Sequence, residues 1–391
     1  MKTASLRIPV IAWLSVVVLA ASATAVAAGP ADPIFEKGYV PVGELKYSYL
    51  PNLARLRDGT ILCAYAHGQL PRLGSIRVTA TQDGGRSWSK AVLAIPAGPQ
   101  ALIADPNMLV VGERASESVK LYGTWLPSML PPFGNARFWE STSTDGGRTW
   151  SKHKALPSTH RYMTGKVHVP ITLRDGTIVM GYAWDVPAER GKPAQTEPEM
   201  LCKPGVLRST DGGQTWKAGA DVSIDRPLSL DEPAPIELKD GSLLLVMRTI
   251  GPRPYEVLSH DGGLTWGKPR ESSVDGHNTP TALLRLADGS ILRAWDMSTK
   301  NRYPLVVALS TDEAKTWSTP RTVTTPTTVN PATAKPDAKT SQGGLSYRTA
   351  CYPSLAQCDD GTILMVWWET GDFGSRLGYA RFNRAWVERG A

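Results

Sequence analysis

The chain has 391 residues, 41% of them apolar, and a formal net charge of +7, so it can bury a sizeable core but is long for one ordinary domain unless that domain is built of repeats. Its lysines and arginines are dispersed with no basic run, which argues against a nucleic-acid partner. Cys63, Cys202, Cys351 and Cys358 are too few and too scattered for a disulfide framework, and no Cys or His spacing suggests a metal site, so neither metal nor cofactor is expected.

At the N-terminus, Lys2 and Arg7 precede the apolar run Ile8 to Ala20 and then the small residues ASATAVAAG. That order predicts a secretory signal peptide over residues 1–28, cleaved after Ala27 or Ala28, and a single mature domain over 29–391 that is secreted or periplasmic. The run is short of the about 20 residues of a membrane span. No other stretch approaches that length, so the mature chain is expected to carry no span and to be a monomer.

From Tyr49 onward two kinds of segment alternate. The first is an apolar strand, an Asp-Gly turn and a second apolar strand, which is a hairpin signature. It reads YLPNLARLRDGTILCAYA from Tyr49, HVPITLRDGTIVMGYAW from His168, DEPAPIELKDGSLLLVMR from Asp231, NTPTALLRLADGSILRAW from Asn278 and CYPSLAQCDDGTILMVWWE from Cys351, with a looser copy from Asp105. The second ends in Ser/Thr-x-Asp-Gly-Gly-x-Ser/Thr-Trp or a close variant, at Trp88, Trp150, Trp216, Trp266 and Trp317. Its aspartate can accept bonds from turn amides, its glycines allow positive φ, and its tryptophan can cover an apolar face. One unit then holds four strands, and six units make an all-β, six-bladed β-propeller.

The motif STDGGRTW at residues 143–150 resembles the Asp-box, and the whole mature chain resembles the sialidase (neuraminidase) superfamily. The resemblance implies that the boxes lie at the blade periphery and are structural, and that the site forms where the inner strands begin. The residues there are Tyr49, Asp105, His168, Asp231 with Glu232, Asn278 with His277, and Tyr352. DEPAPIELKDGSLLLVMRT resembles the sialidase stretch in which a glutamate opens one strand and an arginine closes the next, which assigns Glu232 and Arg248. Arg302, before YPLVVALSTDEAKTW, stands where sialidases carry a further arginine. Tyr352 stands at the place of the nucleophilic tyrosine. Arginine forks match a carboxylate, and a neutral tyrosine avoids repulsion by the anionic anomeric centre of sialic acid. Its ordinary pKa near 10 requires a neighbouring base, here Glu232.

The first unit departs from the resemblance. Tyr49 stands where a third arginine belongs, and no acid precedes Asp83 in the segment that should hold the general acid. Arg348 or Arg72 is available as a third cation, and His67 or Asp105 as a proton donor, while His168 and His277 would suit acid/base work on a different sugar. Three functions follow: hydrolysis of terminal sialic acid, action on another uronate-type glycan, or a non-catalytic propeller that binds glycan or protein. Residues 325–344, rich in Thr, Pro and Ala, are expected to form a long loop near Tyr352.

Overall fold

The computed structural model describes residues 32–42, 48–68, 74–97, 102–126, 137–156, 170–185, 202–225, 228–299, 302–325, 349–371 and 374–389; the segment read as a signal peptide and most of the loop 325–344 lie outside them. Asp32–Ala391 form one compact unit. Its strands make six antiparallel sheets of four. The chain starts with β1 (Phe35–Tyr39). Five sheets then follow in order: β2 (Ser48–Arg55), β3 (Ile61–His67), β4 (Ser75–Thr81) and β5 (Val92–Ile95); β6 (Leu102–Val111), β7 (Ser118–Leu126), β8 (Arg137–Ser143) and β9 (Lys154–Ala155); β10 (Ile171–Thr172), β11 (Ile178–Asp185), β12 (Cys202–Ser209) and β13 (Lys217–Ala218); β14 (Asp231–Glu237), β15 (Leu243–Arg248), β16 (Tyr255–Ser259) and β17 (Arg270–Glu271); β18 (Ala282–Arg285), β19 (Ile291–Asp296), β20 (Leu305–Ser310) and β21 (Arg321–Thr324). The sixth takes β22 (Thr349–Gln357), β23 (Ile363–Gly371) and β24 (Gly374–Phe382) from the C-terminal end and β1 from the N-terminal end, with Phe35 opposite Phe382 and Tyr39 opposite Gly378.

That closure explains why the sixth unit has no box. Its fourth strand comes from the other end of the chain, so no turn joins it to β24. The pairing also covers the edge that β24 would otherwise present.

Each pair of neighbouring sheets shares an apolar cluster, and the clusters run round the ring without a gap. Leu62 and Ile76 meet Met108 and Leu121; Tyr122 meets Met180; Val206 meets Leu245; Leu244 meets Ile291; Leu305 meets Met365; and Val366 meets Tyr65. A sheet packed on both faces needs apolar residues at consecutive positions, not alternate ones. This is why β15 (LLLVMR) and β20 (LVVALS) are buried along their whole length.

The hairpin turns work as the sequence implies. Asp58, Asp175, Asp240, Asp288 and Asp360 each accept the N–H two residues on at 2.8–3.0 Å.

The boxes sit between the third and fourth strands. In the second sheet Asp145 Oδ1 accepts the Arg148 and Thr149 amides at 3.0 and 2.9 Å, and Oδ2 accepts the Thr149 hydroxyl at 2.5 Å. Ser143 Oγ donates to the same carboxylate and accepts the Gly147 amide, while Trp150 Nε1 donates to the Gly147 carbonyl. Gly263 has φ +89°, and a Cβ there would lie 2.4 Å from Val206 Cγ2 in the preceding sheet. The box is therefore a spacer between blades as well as a turn.

Two outcomes follow for stability. Gly263→Ala should destabilise the fold by roughly 1–3 kcal/mol in a denaturant titration. The Thr149 hydroxyl and amide hold the Asp145 carboxyl down to about 2, and Thr316 does the same for Asp312. A carboxylate depressed on folding stabilises fully above its unfolded value of about 3.9 and ceases to do so as pH falls through its folded value. The melting temperature should accordingly fall between pH 4 and 2, and Thr149→Val with Thr316→Val should make that fall shallower.

Candidate active site

Among the described residues, four inner strands open alike. Leu50, Asp105, Glu232 and Tyr352 all have left-handed backbone, with φ of 53, 53, 45 and 57°, and each immediately precedes a proline. At the same places the ladder is bulged, between Tyr49 and Asn52, Ala104 and Asn107, Asp231 and Ala234, and Cys351 and Ser354. A residue before proline normally takes extended backbone, and left-handed backbone at a side-chain-bearing residue costs about 1–3 kcal/mol. A bulge that carries such strain re-aims its side chain. Asn278, φ 51°, is the counterpart in the fifth sheet, one residue further from its proline. Leu50, Asp105 and Tyr352 line one axial cavity of about 370 Å³.

The side chains converge across three sheets. Tyr352 Oη donates to Glu232 Oε1 at 2.8 Å. Arg248 Nη1 lies 2.8 Å from the same oxygen and donates to Tyr352 Oη at 3.4 Å. The ladder pairs Asp231 with Arg248, which is why residues sixteen apart in sequence meet at one rim. The other edge of Arg248, through Nε at 2.8 Å and through Nη2, is held by Asn278 Oδ1. Glu232 and Arg248 are 1% and 4% exposed, so the pair is shielded from solvent. Arg302 is buried, with its guanidinium carbon 5.8 Å from the centre of the Tyr352 ring. Trp368 also packs here, 5.8 Å from the Tyr352 ring and 6.1 Å from Tyr49, with its Nε1 donating to Ser375 Oγ at 2.7 Å.

Chemically, a phenol that donates to a buried carboxylate beside a guanidinium is set to lose its proton as its oxygen attacks an electrophile. The guanidinium stabilises the negative charge on either oxygen.

The structure brings Tyr352, Glu232, Arg248 and Arg302 together as expected, and places Asp105 on the cavity. It corrects Tyr49. That side chain is 4% exposed and packs with Ala66 and Trp368, and burial, followed by the charge of Asp105, pushes its phenol up. The reason is one of phase: the left-handed residue is Leu50, so leucine lines the cavity in the first blade as Asp105 and Tyr352 do in theirs. His277 is half-buried with Nδ1 3.3 Å from the Gly251 carbonyl, and it is its neighbour Asn278 that reaches Arg248. His67 Nδ1 lies 3.1 Å from Ser48 Oγ at the end of β3. His168, Arg72 and Arg348 lie outside the described residues. All four cysteines are free thiols.

Asn278 was expected at the site without a role, and Trp368 was not expected there at all. The role of Asn278 was signalled by its phase, since it precedes Thr-Pro where other blades have Asp-Pro, Glu-Pro and Tyr-Pro. Trp368 gave no comparable signal, because a tryptophan in a buried strand reads as core.

A family of BNR repeat-like domains matches residues 59–365. A sialidase of Micromonospora viridifaciens is 25% identical over 94% of this chain and 58% of its own length, and one of Bacteroides fragilis is 24% identical over 69% and 54%. The chain thus spans little more than half the length of these relatives. An intramolecular trans-sialidase of Ruminococcus gnavus has the same fold, with a TM-score of 0.64 over 88% of this chain and 96% of that one at 14% identity. By its repeats, its ring of six sheets and these matches, the chain belongs to the BNR repeat-like family and is a six-bladed propeller of the sialidase superfamily.

Proposed function

We propose that this chain is a secreted glycoside hydrolase that removes a terminal acidic sugar, sialic acid first among them, with Tyr352 as nucleophile. The observation that supports it most is the 2.8 Å hydrogen bond from Tyr352 Oη to Glu232 Oε1, with Arg248 on both oxygens. As Oη bonds to the anomeric carbon, its proton passes to Glu232 and the glycosidic C–O bond breaks. Asp105, on the same cavity as Tyr352, protonates the departing oxygen in place of the acid missing from the first blade. Water, giving its proton to Asp105, then attacks the anomeric carbon, and Tyr352 recovers its proton from Glu232. Arg302 and the Nη1 side of Arg248 receive the carboxylate of the sugar. Export rests on the leader pattern at residues 1–28. The protein acts as a monomer on a glycan, without cofactor.

Another uronate-type sugar is a second reading, favoured by the first blade. Leu50 faces the cavity and Tyr49 is buried, so no cation stands at either position.

The test is release of free sugar from α-sialyl glycosides of several linkages and from uronate-terminated glycosides. Free sialic acid supports the first reading. Release from uronides alone moves the substrate to the second. Binding without release of either leaves a glycan-binding propeller and sinks the hydrolase.

A further inference from the structure

Behind Arg302 lies an ionisable group that this reaction does not use. Asp296 ends β19, paired with Leu305 of β20, and is fully buried. Its Oδ2 accepts a 2.7 Å hydrogen bond from Thr279 Oγ1. Thr279 follows Asn278, the residue that grips Arg248, so Asp296 backs both arginine-bearing parts of the site. Its Oδ1 is buried with no hydrogen-bond partner among the described residues, and the same holds for Arg302 Nε.

Buried donors and acceptors are satisfied in the great majority of cases. Here a leftover acceptor and a leftover donor lie beside one backbone bond, from the Met297 amide to the Pro304 carbonyl at 2.9 Å, and within electrostatic reach of each other. Among the described residues, the charged and titratable groups that face them from other elements are Cys351, Glu232, Arg248 and Tyr352. Cys351 of β22 is a buried thiol pushed up to about 12 by burial, and it senses Arg302, Asp296 and Glu232. Glu232 and Arg248 are bonded to each other and to Tyr352.

We propose that Asp296 is the positioning residue of Arg302 and competes with substrate for it: ionised, it pairs with the guanidinium and draws it away from Tyr352; protonated, it leaves Arg302 beside Tyr352 to bind the acid group of the sugar. The identity of that sugar rests on the function proposed above, whereas the pairing of Asp296 with Arg302 does not. Burial pushes the Asp296 carboxyl up to about 8, against the opposing bond from Thr279 and charge of Arg302. The residue is therefore neutral at and below neutral pH, where Arg302 is available. Above about 8 it ionises and captures Arg302, so affinity for an anion falls as pH rises. By linkage, an anion bound at Arg302 raises the Asp296 pKa further and takes up a proton.

The experiment uses the full chain and its Asp296→Asn and Thr279→Val variants, with two readouts from pH 6 to 9.5. The first is KM and kcat on a sialyl glycoside. In the wild type KM should rise up to about tenfold per pH unit above 8, while kcat moves much less. In Asp296→Asn that limb should be absent, and in Thr279→Val, which loses a bond favouring the ionised form, it should shift to higher pH. The second readout is the Arg302 Nε–H NMR resonance, assigned by its loss in Arg302→Lys. It should titrate with a midpoint near 8 in the wild type and stay flat in Asp296→Asn.

Identical KM profiles in the wild type and Asp296→Asn overturn the proposal and leave the hydrolase standing. A fall in kcat at every pH with an unchanged resonance is a merely structural role, and overturns it too. If no sialyl glycoside is turned over, the substrate assignment fails, and the resonance alone decides the pairing. A titration near 8 that vanishes in Asp296→Asn supports it, and a flat wild-type resonance overturns it.

Discussion

Tyr352→Phe should lower release of the acidic sugar by about 10³-fold or more while leaving the melting temperature essentially unchanged. Phenylalanine keeps the ring that packs against Trp368 and under Arg302, so only the hydroxyl is lost. That hydroxyl bonds Glu232 and Arg248, and in the proposed reaction it forms the covalent bond. Glu232→Gln removes the acceptor of its proton but keeps the shape of the site, and should cost roughly 10²–10⁴ in rate. Groups that act as one unit are not additive. The double variant should therefore fall no further than Tyr352→Phe alone, as a comparison of initial rates on one substrate would show.

Arg248→Met should unfold the protein at lower denaturant, by about 3–5 kcal/mol, in addition to abolishing turnover. The cause is Glu232, which stays buried at 1% exposure without the guanidinium 2.8 Å away. Asn278 Oδ1 also loses both of its bonds from Arg248. Lysine restores a charge but not the planar fork that reaches Glu232 and Asn278 at once, so Arg248→Lys should fall between. Adding Glu232→Gln to Arg248→Met removes the stranded charge. The double variant should be more stable than Arg248→Met alone, and a double-mutant cycle measures that coupling.

Much of this was legible in the chain because the fold is periodic. The box and the Asp-Gly hairpin each recur with the residue types that their turns require, so strand count and phase can be read from Asp58, Asp145 and their copies. Glu232 and Arg248 were legible for a related reason, since a tight hairpin brings the two ends of one segment to the same rim.

What failed to show is set by distance or by a shift of one residue. Closure by β1 pairs Phe35 with Phe382, and no local pattern reports a contact between the two ends of a chain. Tyr49 was placed on the cavity because it opens a strand, but the bulge gives that position to Leu50, and a shift of one turns a side chain to the other face. Asp296 carries no signal in the sequence; only the fold reveals that Thr279 bonds it and that Arg302 lies within its electrostatic reach.

The most direct measurement is the mass of the peptide containing Tyr352 after the protein is acid-quenched during turnover of a fluorinated sialyl donor, whose fluorine next to the anomeric carbon slows release of the intermediate. A peptide heavier by one fluorosialosyl group, with the added mass on Tyr352 and absent from Tyr352→Phe, is the expected result. Turnover with no adduct on Tyr352, or with the adduct on an acidic residue instead, would contradict a tyrosine nucleophile.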